Sequence, residues 1–258
     1  MIGVFDSGLG GLCALKALRS RFPFTDFVYL ADTARLPYGA HSPEAILHYA
    51  REALAFFLHK GADAILFACG TVSALALSTL KKESPIPLFG IIAPALEEAV
   101  SLWRKGAVLV LGTEATVKSR AFAAALESIL PQARLFSIAC PLFVSLAEEG
   151  LTEEGNPIAD AAARYYLSAL QGERLDAILL GCTHFSYLAP FIRPIFPDTP
   201  ILDCGASAAG TLPFSLGKTE GGKTEFFVTE NAPAFSRKAS RLLKENAEAK
   251  KISLSSFA

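Results

Sequence analysis

The sequence predicts an α/β protein built from two similar units, each with a parallel sheet and related by pseudo-two-fold symmetry. The first observation is an internal repeat, because the run 63–69 (DAILFAC) returns almost unchanged as 176–182 (DAILLGC). The second is that each run is short, apolar and followed at once by small polar residues and a helical pattern. Such runs are typical of buried parallel strands. A repeat spaced at nearly half the chain length indicates two α/β units that face one another.

The repeat ends on Cys69 in the first unit and on Cys182 in the second. Open α/β sheets bind their ligands at the carboxyl ends of their strands, where both cysteines are predicted to lie. An isolated cysteine is usually a small buried hydrophobic residue. The equivalent positions of these two favour a function in which two thiols reach one substrate from opposite sides. Cys13, Cys140 and Cys204 lack that paired context and are interpreted as packing residues.

The composition narrows the class of protein. The 258 residues are 52% hydrophobic and 19% charged, with a formal net charge of −1. No apolar run reaches the roughly 18 residues that a membrane helix needs, and no dense stripe of Lys and Arg favours nucleic acid. Five cysteines without a disulfide-like spacing, and no signal peptide, predict a reducing cytoplasm. We therefore expect a cytoplasmic protein with a small-molecule ligand and with no membrane or nucleic-acid partner.

The elements of the first unit are assigned from apolar runs, caps and glycines. Strands are predicted at 2–5, 27–31, 63–69 and 88–92. A helix begins at Leu12, where apolar residues recur at helical spacing. Ser42 and Pro43 begin a second helix as its N-cap and first-turn proline, and Gly61 ends it. A third helix is expected from about 72 to 82.

The second unit repeats this order of elements. A helix is expected near Pro94, and strands are predicted at 108–111, 135–139, 176–182 and 201–203. Further helices are predicted after Pro141, with a cap at Gly150, and from about 153 to 171. Another helix follows His184.

The last part of the chain falls outside the repeat. Residues 217–223 are predicted to be a flexible surface loop, followed by a strand at 225–229 and a helix at about 234–246. We expect this tail to pack back onto the first unit. The predicted domains are therefore residues 1–92 with 206–258, and residues 93–205.

The turn Asp6–Gly11 (DSGLGG) separates the first strand from the first helix. It matches a dinucleotide-binding fingerprint poorly, because the third glycine would fall on Cys13 and Asp6 would meet a pyrophosphate. The alternative is that its glycines let the backbone approach a small anion such as a carboxylate. Asp6 is then free to act on a substrate ammonium or a neighbouring acid/base group, unless it only caps the turn.

Four motifs stand out along the chain, at 2–11 (IGVFDSGLGG), 37–39 (PYG), 68–71 (ACGT) and 181–185 (GCTHF). In this order they resemble the glutamate racemases, cofactor-independent enzymes of bacterial cell-wall synthesis within the aspartate/glutamate racemase superfamily. The resemblance covers essentially the whole chain. It implies two flavodoxin-like domains with the active site between them, no cofactor, and commonly a homodimer. It also implies formation of D-glutamate from L-glutamate for peptidoglycan.

The resemblance implies roles for individual residues. Cys69 and Cys182 match the acid/base pair, and Asp6, His184 and Glu148 match further catalytic positions. Substrate contacts are expected from small, polar and loop residues: Asp6, Ser7, Pro37, Tyr38, Gly39, Gly70, Thr71, Thr113, Thr116, Thr183 and His184. No metal ligand is implied.

One position departs from the family pattern, which has Asn after the first cysteine where this chain has Gly70. A hydrogen bond to a charged group is worth about 1.5–3 kcal/mol, so its absence weakens substrate binding by about 10–100-fold. A water or a nearby side chain that fills the gap would leave glutamate as the substrate, with a higher KM. Otherwise the enlarged space admits another substrate, or activity is lost. On the first interpretation, we expect Gly70→Asn to raise kcat/KM for glutamate.

The residue types fit racemisation independently of the resemblance. The reaction removes the Cα proton from one face and returns a proton to the other. A thiolate and a thiol suit these two steps, and their roles exchange with the direction of reaction. Free cysteine has a pKa near 8.5, so neighbours must favour the thiolate. His184 is the candidate neighbour for Cys182, and Asp6 is the candidate for Cys69.

Other functions stay open on the sequence alone. Cys69, Cys182, His184 and Asp6 have the side chains of a zinc site, but the paired spacing of such sites is missing. An aspartate racemase or a related cysteine-dependent decarboxylase is closer in chemistry. A non-catalytic amino-acid-binding protein on the same fold is a further alternative. The preference for glutamate over aspartate rests on the resemblance, because a sequence does not measure the length of a pocket.

Overall fold

The computed structural model describes residues 1–217 and 221–257. Its strands are β1 (Ile2–Asp6), β2 (Phe27–Ala31), β3 (Ala64–Phe67), β4 (Leu88–Gly90), β5 (Ala107–Gly112), β6 (Arg134–Ala139), β7 (Leu175–Leu180), β8 (Ile201–Asp203), β9 (Thr224–Val228) and β10 (Ala249–Lys251). Its first α-helices are α1 (Leu12–Arg21), α2 (Pro43–His59), α3 (Gly70–Leu75), α4 (Leu77–Glu83), α5 (Ile92–Leu102) and α6 (Glu114–Lys118). The later ones are α7 (Ala121–Ile129), α8 (Pro141–Glu149), α9 (Pro157–Leu167), α10 (Ala189–Ile192), α11 (Cys204–Thr211) and α12 (Ala232–Leu243).

The strands form two sheets in which every paired neighbour is parallel. The six-stranded sheet has the order β10-β9-β2-β1-β3-β4, and the four-stranded sheet has the order β6-β5-β7-β8. The run β2-β1-β3-β4 therefore has the same topology as β6-β5-β7-β8. This agreement confirms the predicted α/β class with two similar parallel units.

The apolar side chains are distributed over three buried clusters. One cluster takes Ile2 and Val4 from the first sheet and Val108 and Val110 from the second, with helices packed between them. The next residue of β1, Phe5, points to a separate cluster on the opposite face of its sheet. Another cluster covers the outer face of the second sheet, beneath α8 and α9. Because both faces of each sheet are covered, the strands read as continuous apolar runs rather than alternating ones.

The tail of the chain extends the first sheet. β9 pairs with β2 over five residues, and β10 pairs with β9. The predicted strand at 225–229 corresponds to β9, whereas β10 was not expected, because Ala249–Lys251 lacks an apolar run. The predicted flexible loop at 217–223 includes 218–220, which lie outside the described residues. The domain boundaries at 92/93 and 205/206 stay a prediction.

Two predicted helices differ from the structure. The helix expected at 153–171 is shorter, because Asn156 caps α9 by accepting hydrogen bonds from the amides of Ile158 and Ala159, and Pro157 follows it. The helix expected at 72–82 is two helices that meet at Ala76. Among the described residues, no helix combines the length and the apolar character that crossing a membrane requires.

Candidate active site

A nearly closed cavity of about 10 Å³, roughly the room that one water molecule needs, lies where strand ends from both sheets meet. The loops that follow β1, β3, β5 and β7 all reach it, as expected for the carboxyl ends of parallel strands. Its lining residues are Ser7, Pro37, Tyr38, Gly39, Cys69, Gly70, Thr71, Thr113, Val144, Cys182, Thr183 and His184.

Each half of the molecule contributes one thiol to this cavity. Cys69 stands two residues beyond the end of β3, and Cys182 stands two residues beyond the end of β7. Both occupy the N-cap position of the helical turn that follows. They are only 5% and 6% exposed. The repeat therefore brings two buried thiols to one cavity from opposite units.

Cys182 heads a short relay of side chains. Its Sγ lies 3.7 Å from Nδ1 of His184, whose Nε2 lies 2.6 Å from Oε1 of Glu148. Burial alone would lower the pKa of His184, but its contacts with Cys182 and Glu148 raise that pKa well above the ordinary value. Burial would raise the pKa of Glu148, but the hydrogen bond with His184 holds it below the ordinary value. The arrangement favours an imidazolium between a carboxylate and the Cys182 sulfur.

Cys69 has different surroundings. Burial and the charge of Asp6 raise the pKa of its thiol to about 12, although the amides of Val72 and Thr71 favour the thiolate. Asp6 is fully buried, and its two oxygens accept hydrogen bonds from the amide of Gly8 and the hydroxyl of Thr183, both at 2.9 Å. Burial raises the pKa of Asp6 itself, and in its ionised form Asp6 disfavours the Cys69 thiolate through its charge. These surroundings argue against the expectation that Asp6 favours this thiolate, and the role of Asp6 beside Cys69 stays a prediction.

Three threonine hydroxyls form a chain across the two units. The Oγ1 atoms of Thr71 and Thr113 are 3.1 Å apart, and those of Thr113 and Thr116 are 3.0 Å apart. The amide of Thr116 also donates to Thr113 Oγ1 at 3.2 Å, which caps α6. Hydroxyls both donate and accept, so Thr71 and Thr113 can turn toward a charged ligand group in the cavity.

The loop at 37–39 is fixed from behind by a buried carboxylate. The hydroxyl of Tyr38 donates to Asp32 at 2.5 Å, and Asp32 also pairs with Arg35 at 2.6 Å and accepts from Thr229 at 2.7 Å. Arg35 pairs in addition with the buried carboxylate of Glu52. The Tyr38 hydroxyl is therefore engaged behind the loop, which leaves the ring and the backbone of 37–39 to line the cavity.

Glycines allow the two units to approach closely around the cavity. A Cβ on Gly70 would lie 1.9 Å from the carbonyl oxygen of Gly181, and one on Gly39 would lie 2.4 Å from Cβ of Thr113. The space expected beside Gly70 is therefore filled by the backbone that leads to Cys182. This close approach argues against the expectation that Gly70→Asn raises kcat/KM, because an asparagine would have to displace this backbone.

Most of the predicted site residues line the cavity. Asp6, Glu148 and Thr116 do not, and each lies behind a lining residue with which it shares a hydrogen bond. Val144 lines the cavity but was missed from the sequence. Its signal was its position four residues before Glu148, which places both on one face of α8.

Comparisons with known proteins agree with this geometry. Residues 15–212 match the family model described as Asp/Glu/Hydantoin racemase. The glutamate racemase of Aquifex pyrophilus is 42% identical over 90% of this chain and 89% of its own. A crystal structure of glutamate racemase from Francisella tularensis in complex with D-glutamate has a TM-score of 0.90, with 32% identity over 99% of this chain and 98% of that one. The structure of the Thermus thermophilus glutamate racemase in complex with β-chloro-D-alanine has a TM-score of 0.87, with 37% identity over 98% and 97%.

The family match spans more than half of the chain, and the similarity to the racemases extends over nearly all of it. The fold, the paired cysteines and these relatives lead to the same conclusion. The chain belongs to the Asp/Glu/Hydantoin racemase family.

Proposed function

We propose that this chain racemises glutamate without a cofactor, with Cys69 and Cys182 as the two acid/base groups. The observation that carries the proposal is that two buried thiols, at equivalent strand ends of two similar units, line one cavity. Racemisation needs a base on one face of Cα and an acid on the other. Two facing thiols meet that need without a large movement of either.

The surroundings of the thiols support an order of events. Cys182 takes the Cα proton as a thiolate beside the His184 imidazolium, and Cys69 returns a proton to the opposite face from its thiol. After this turnover Cys182 holds a proton and Cys69 does not, so the reverse reaction uses the same pair with exchanged roles. The raised pKa of Cys69, which keeps its thiol protonated near neutral pH, supports its role as the first acid.

Charged groups of the substrate are held by the polar lining. Ser7, Thr71, Thr113 and Thr183 offer hydroxyls around the cavity. Removal of the Cα proton builds negative charge toward the neighbouring carboxylate, and donors fixed in a buried site stabilise such charge. Asp6, behind Thr183, orients that hydroxyl, and in its ionised form it favours a substrate ammonium.

Glutamate is favoured over the alternatives by the relatives. Those reported above are glutamate racemases, and the Francisella tularensis enzyme is in complex with D-glutamate. An aspartate racemase, a cysteine-dependent decarboxylase and a non-catalytic binding protein differ from this proposal in substrate or product. Purified protein should interconvert L- and D-glutamate, as followed by polarimetry, and should act on aspartate much more slowly. Faster turnover of aspartate, release of carbon dioxide, or binding without turnover would overturn the proposal.

The zinc alternative has its own test. In residues 1–217 and 221–257, no group of three or more His, Cys, Asp or Glu side chains is placed to hold a metal ion. Activity should survive both dialysis against a chelator and treatment that removes pyridoxal phosphate, with metal content measured on the same sample. Loss of activity that added zinc restores would contradict the two-thiol mechanism.

Three wider statements accompany the proposal. We propose that the protein works in the cytoplasm, that it supplies D-glutamate for peptidoglycan, and that it forms a homodimer. The five free cysteines support the first, and the resemblance supports the other two. Light scattering coupled to size-exclusion chromatography should give twice the 27.4 kDa mass of one chain.

A further inference from the structure

The end of α8 is in contact with α12, which belongs to the tail of the chain. Nζ of Lys238 in α12 donates a hydrogen bond to the backbone oxygen of Glu148. The last carbonyls of a helix have no partner within it. At the end of α8 the amide of Gly150 donates to the oxygen of Ala147 at 3.2 Å, and the amide of Leu151 donates to the oxygen of Leu146 at 2.8 Å. Lys238 takes the next oxygen, and a cation there also interacts favourably with the helix dipole.

The side chain of the same glutamate reaches into the relay. Oε1 of Glu148 accepts from Nε2 of His184 at 2.6 Å and from the amide of Leu9 at 3.3 Å. Glu148 is therefore held at its backbone by α12 and at its carboxylate by the glycine turn and the histidine. A change at either end alters the angle at which the carboxylate meets His184.

We propose that Lys238 is a positioning residue that holds Glu148 against His184 and so keeps the imidazolium beside Cys182. Its effect on turnover rests on the proposed function, whereas its effect on His184 does not. Lys238 does not line the site cavity, and its hydrogen bond is to Glu148, so we expect it to act through Glu148.

Several other charged or titratable groups face this pair. Asp6 and Cys182 interact electrostatically with His184. Tyr29 and Tyr187 interact electrostatically with Glu148. A neighbouring cavity of about 250 Å³ is lined by Glu148 together with Glu149, Glu153 and Arg241. A test must therefore separate positioning by Lys238 from the general effect of removing one positive charge.

These two effects on His184 have opposite signs. Removal of a nearby cation, with nothing else changed, would raise the pKa of a histidine, because the imidazolium would meet less repulsion. A displaced Glu148 would lower that pKa, because the imidazolium would lose its carboxylate partner. The sign of the shift in Lys238→Met therefore distinguishes positioning from simple charge.

Arg241 provides the matched control. It lies on the same helix and pairs with Glu153 at 2.8 Å, so Arg241→Met also removes one cation near the end of α8. The hydrogen bond to the backbone oxygen of Glu148 comes from Lys238 and not from Arg241. Lys238→Arg keeps a cation and a donor and should restore most of the wild-type behaviour.

The measurement is an NMR titration of the histidine side chains in the full-length protein and in these three variants. The chain has four histidines, and His184→Gln identifies the signal of His184. We expect the pKa of His184 to fall in Lys238→Met and to stay unchanged in Arg241→Met. An unchanged or raised pKa in Lys238→Met would overturn the inference, whether or not the protein racemises glutamate.

Kinetics provide the second readout. In Lys238→Met, kcat/KM for glutamate should fall by about 3–10-fold, as expected for the loss of one exposed charged contact that positions Glu148. The alkaline limb of the pH profile of kcat/KM should move to lower pH in Lys238→Met. Lys238→Arg should restore both the value of kcat/KM and the position of this limb. A wild-type protein without racemase activity would overturn the proposed function but leave the His184 titration as the test of positioning. An equal loss in Arg241→Met would overturn the specific role of Lys238.

Discussion

Cys69 and Cys182 occupy equivalent positions in the repeat but differ in their electrostatic surroundings. The thiol of Cys69 is buried near the negative charge of Asp6, which raises its pKa to about 12. Cys182 lies beside the imidazole of His184, whose pKa is raised in turn by Glu148. On the proposed function, two similar chain segments supply an acid and a base, because their neighbours differ.

The pH dependence of activity should report on this asymmetry. The raised pKa of His184 keeps the imidazolium, and hence the support of the Cys182 thiolate, until the pH rises through that folded-state pKa. Glu148→Gln removes one cause of the raised pKa, so the imidazolium is lost at lower pH. We expect the alkaline limb of kcat/KM to move to lower pH, with a loss of about 10-fold or more at its maximum.

The adjacent glutamate is the control for that substitution. Glu149 is exposed at the end of α8, and Glu149→Gln removes the same charge one residue away. Its pH profile should match that of the wild type. A Glu148→Gln profile without a shift would show that this carboxylate does not act on His184.

Sequence reasoning identified the residues whose signal is local. The repeat located both cysteines, and the motif around Cys182 located His184. The close packing around Gly70 was not foreseen and Val144 was missed, since both meet residues far away in the chain. The contact of Gly70 with Gly181 depends on how the two units pack, which no local pattern encodes.

At the scale of elements, short apolar runs predicted the strands, because parallel strands covered on both faces have little else in their sequence. Helix limits were less accurate where caps or breaks decided them. Asn156 and Pro157 begin α9 later than its apolar pattern indicated, and Ala76 divides α3 from α4. β10 has the sequence Ala-Lys-Lys and is largely exposed, so no apolar pattern in the sequence predicted that it would pair with β9.

The start of α3 lies directly against the end of β7, and this contact leads to a prediction. A Cβ on Gly70 would lie 1.9 Å from the Gly181 oxygen, so even Gly70→Ala must move one backbone relative to the other. Such overpacking costs about 1–3 kcal/mol of stability. Because the shift separates Cys69 from Cys182, we expect kcat/KM to fall by about 10–100-fold. Gly70→Asn should be at least as impaired.

Gly210 offers a matched alanine control for this substitution. It lies in α11 with ordinary backbone angles, and a Cβ there would meet no atom within 4 Å. Gly210→Ala should keep full activity and gain slightly in thermal stability, because alanine favours the helix. If Gly70→Ala matches wild type in both kcat/KM and melting temperature, the close approach of the two units is not rigid.

At the scale of the whole molecule, neither unit contains a complete site. The cavity takes its lining from loops of both sheets, and one thiol comes from each. The facing arrangement followed from the repeat alone. The pairing of β9 with β2 did not, because the tail has no counterpart in the second unit. An internal repeat thus predicts the elements that the two units share, but not segments such as the tail that occur in one unit only.

A site shared between two units should fail completely when either half is disabled. Cys69→Ser and Cys182→Ser should each lose racemisation in both directions, by about 10²–10⁴-fold or more, because a hydroxyl is a poor base near neutral pH. Cys13→Ser is the control, since Cys13 is partly exposed and lies outside the cavity. It should keep near wild-type rates in the same assay. Near wild-type activity in either of the first two variants would remove that cysteine from the mechanism.

Isotope incorporation during racemisation in deuterium oxide tests the central claim most directly. The reaction is started with pure L-glutamate and stopped early, and both enantiomers are separated and analysed by mass spectrometry. Two bases on opposite faces predict that the D-glutamate carries deuterium at Cα while the remaining L-glutamate is almost unlabelled. D-Glutamate that retains the original hydrogen, or label that appears equally in both enantiomers from the start, would contradict a mechanism with two facing thiols.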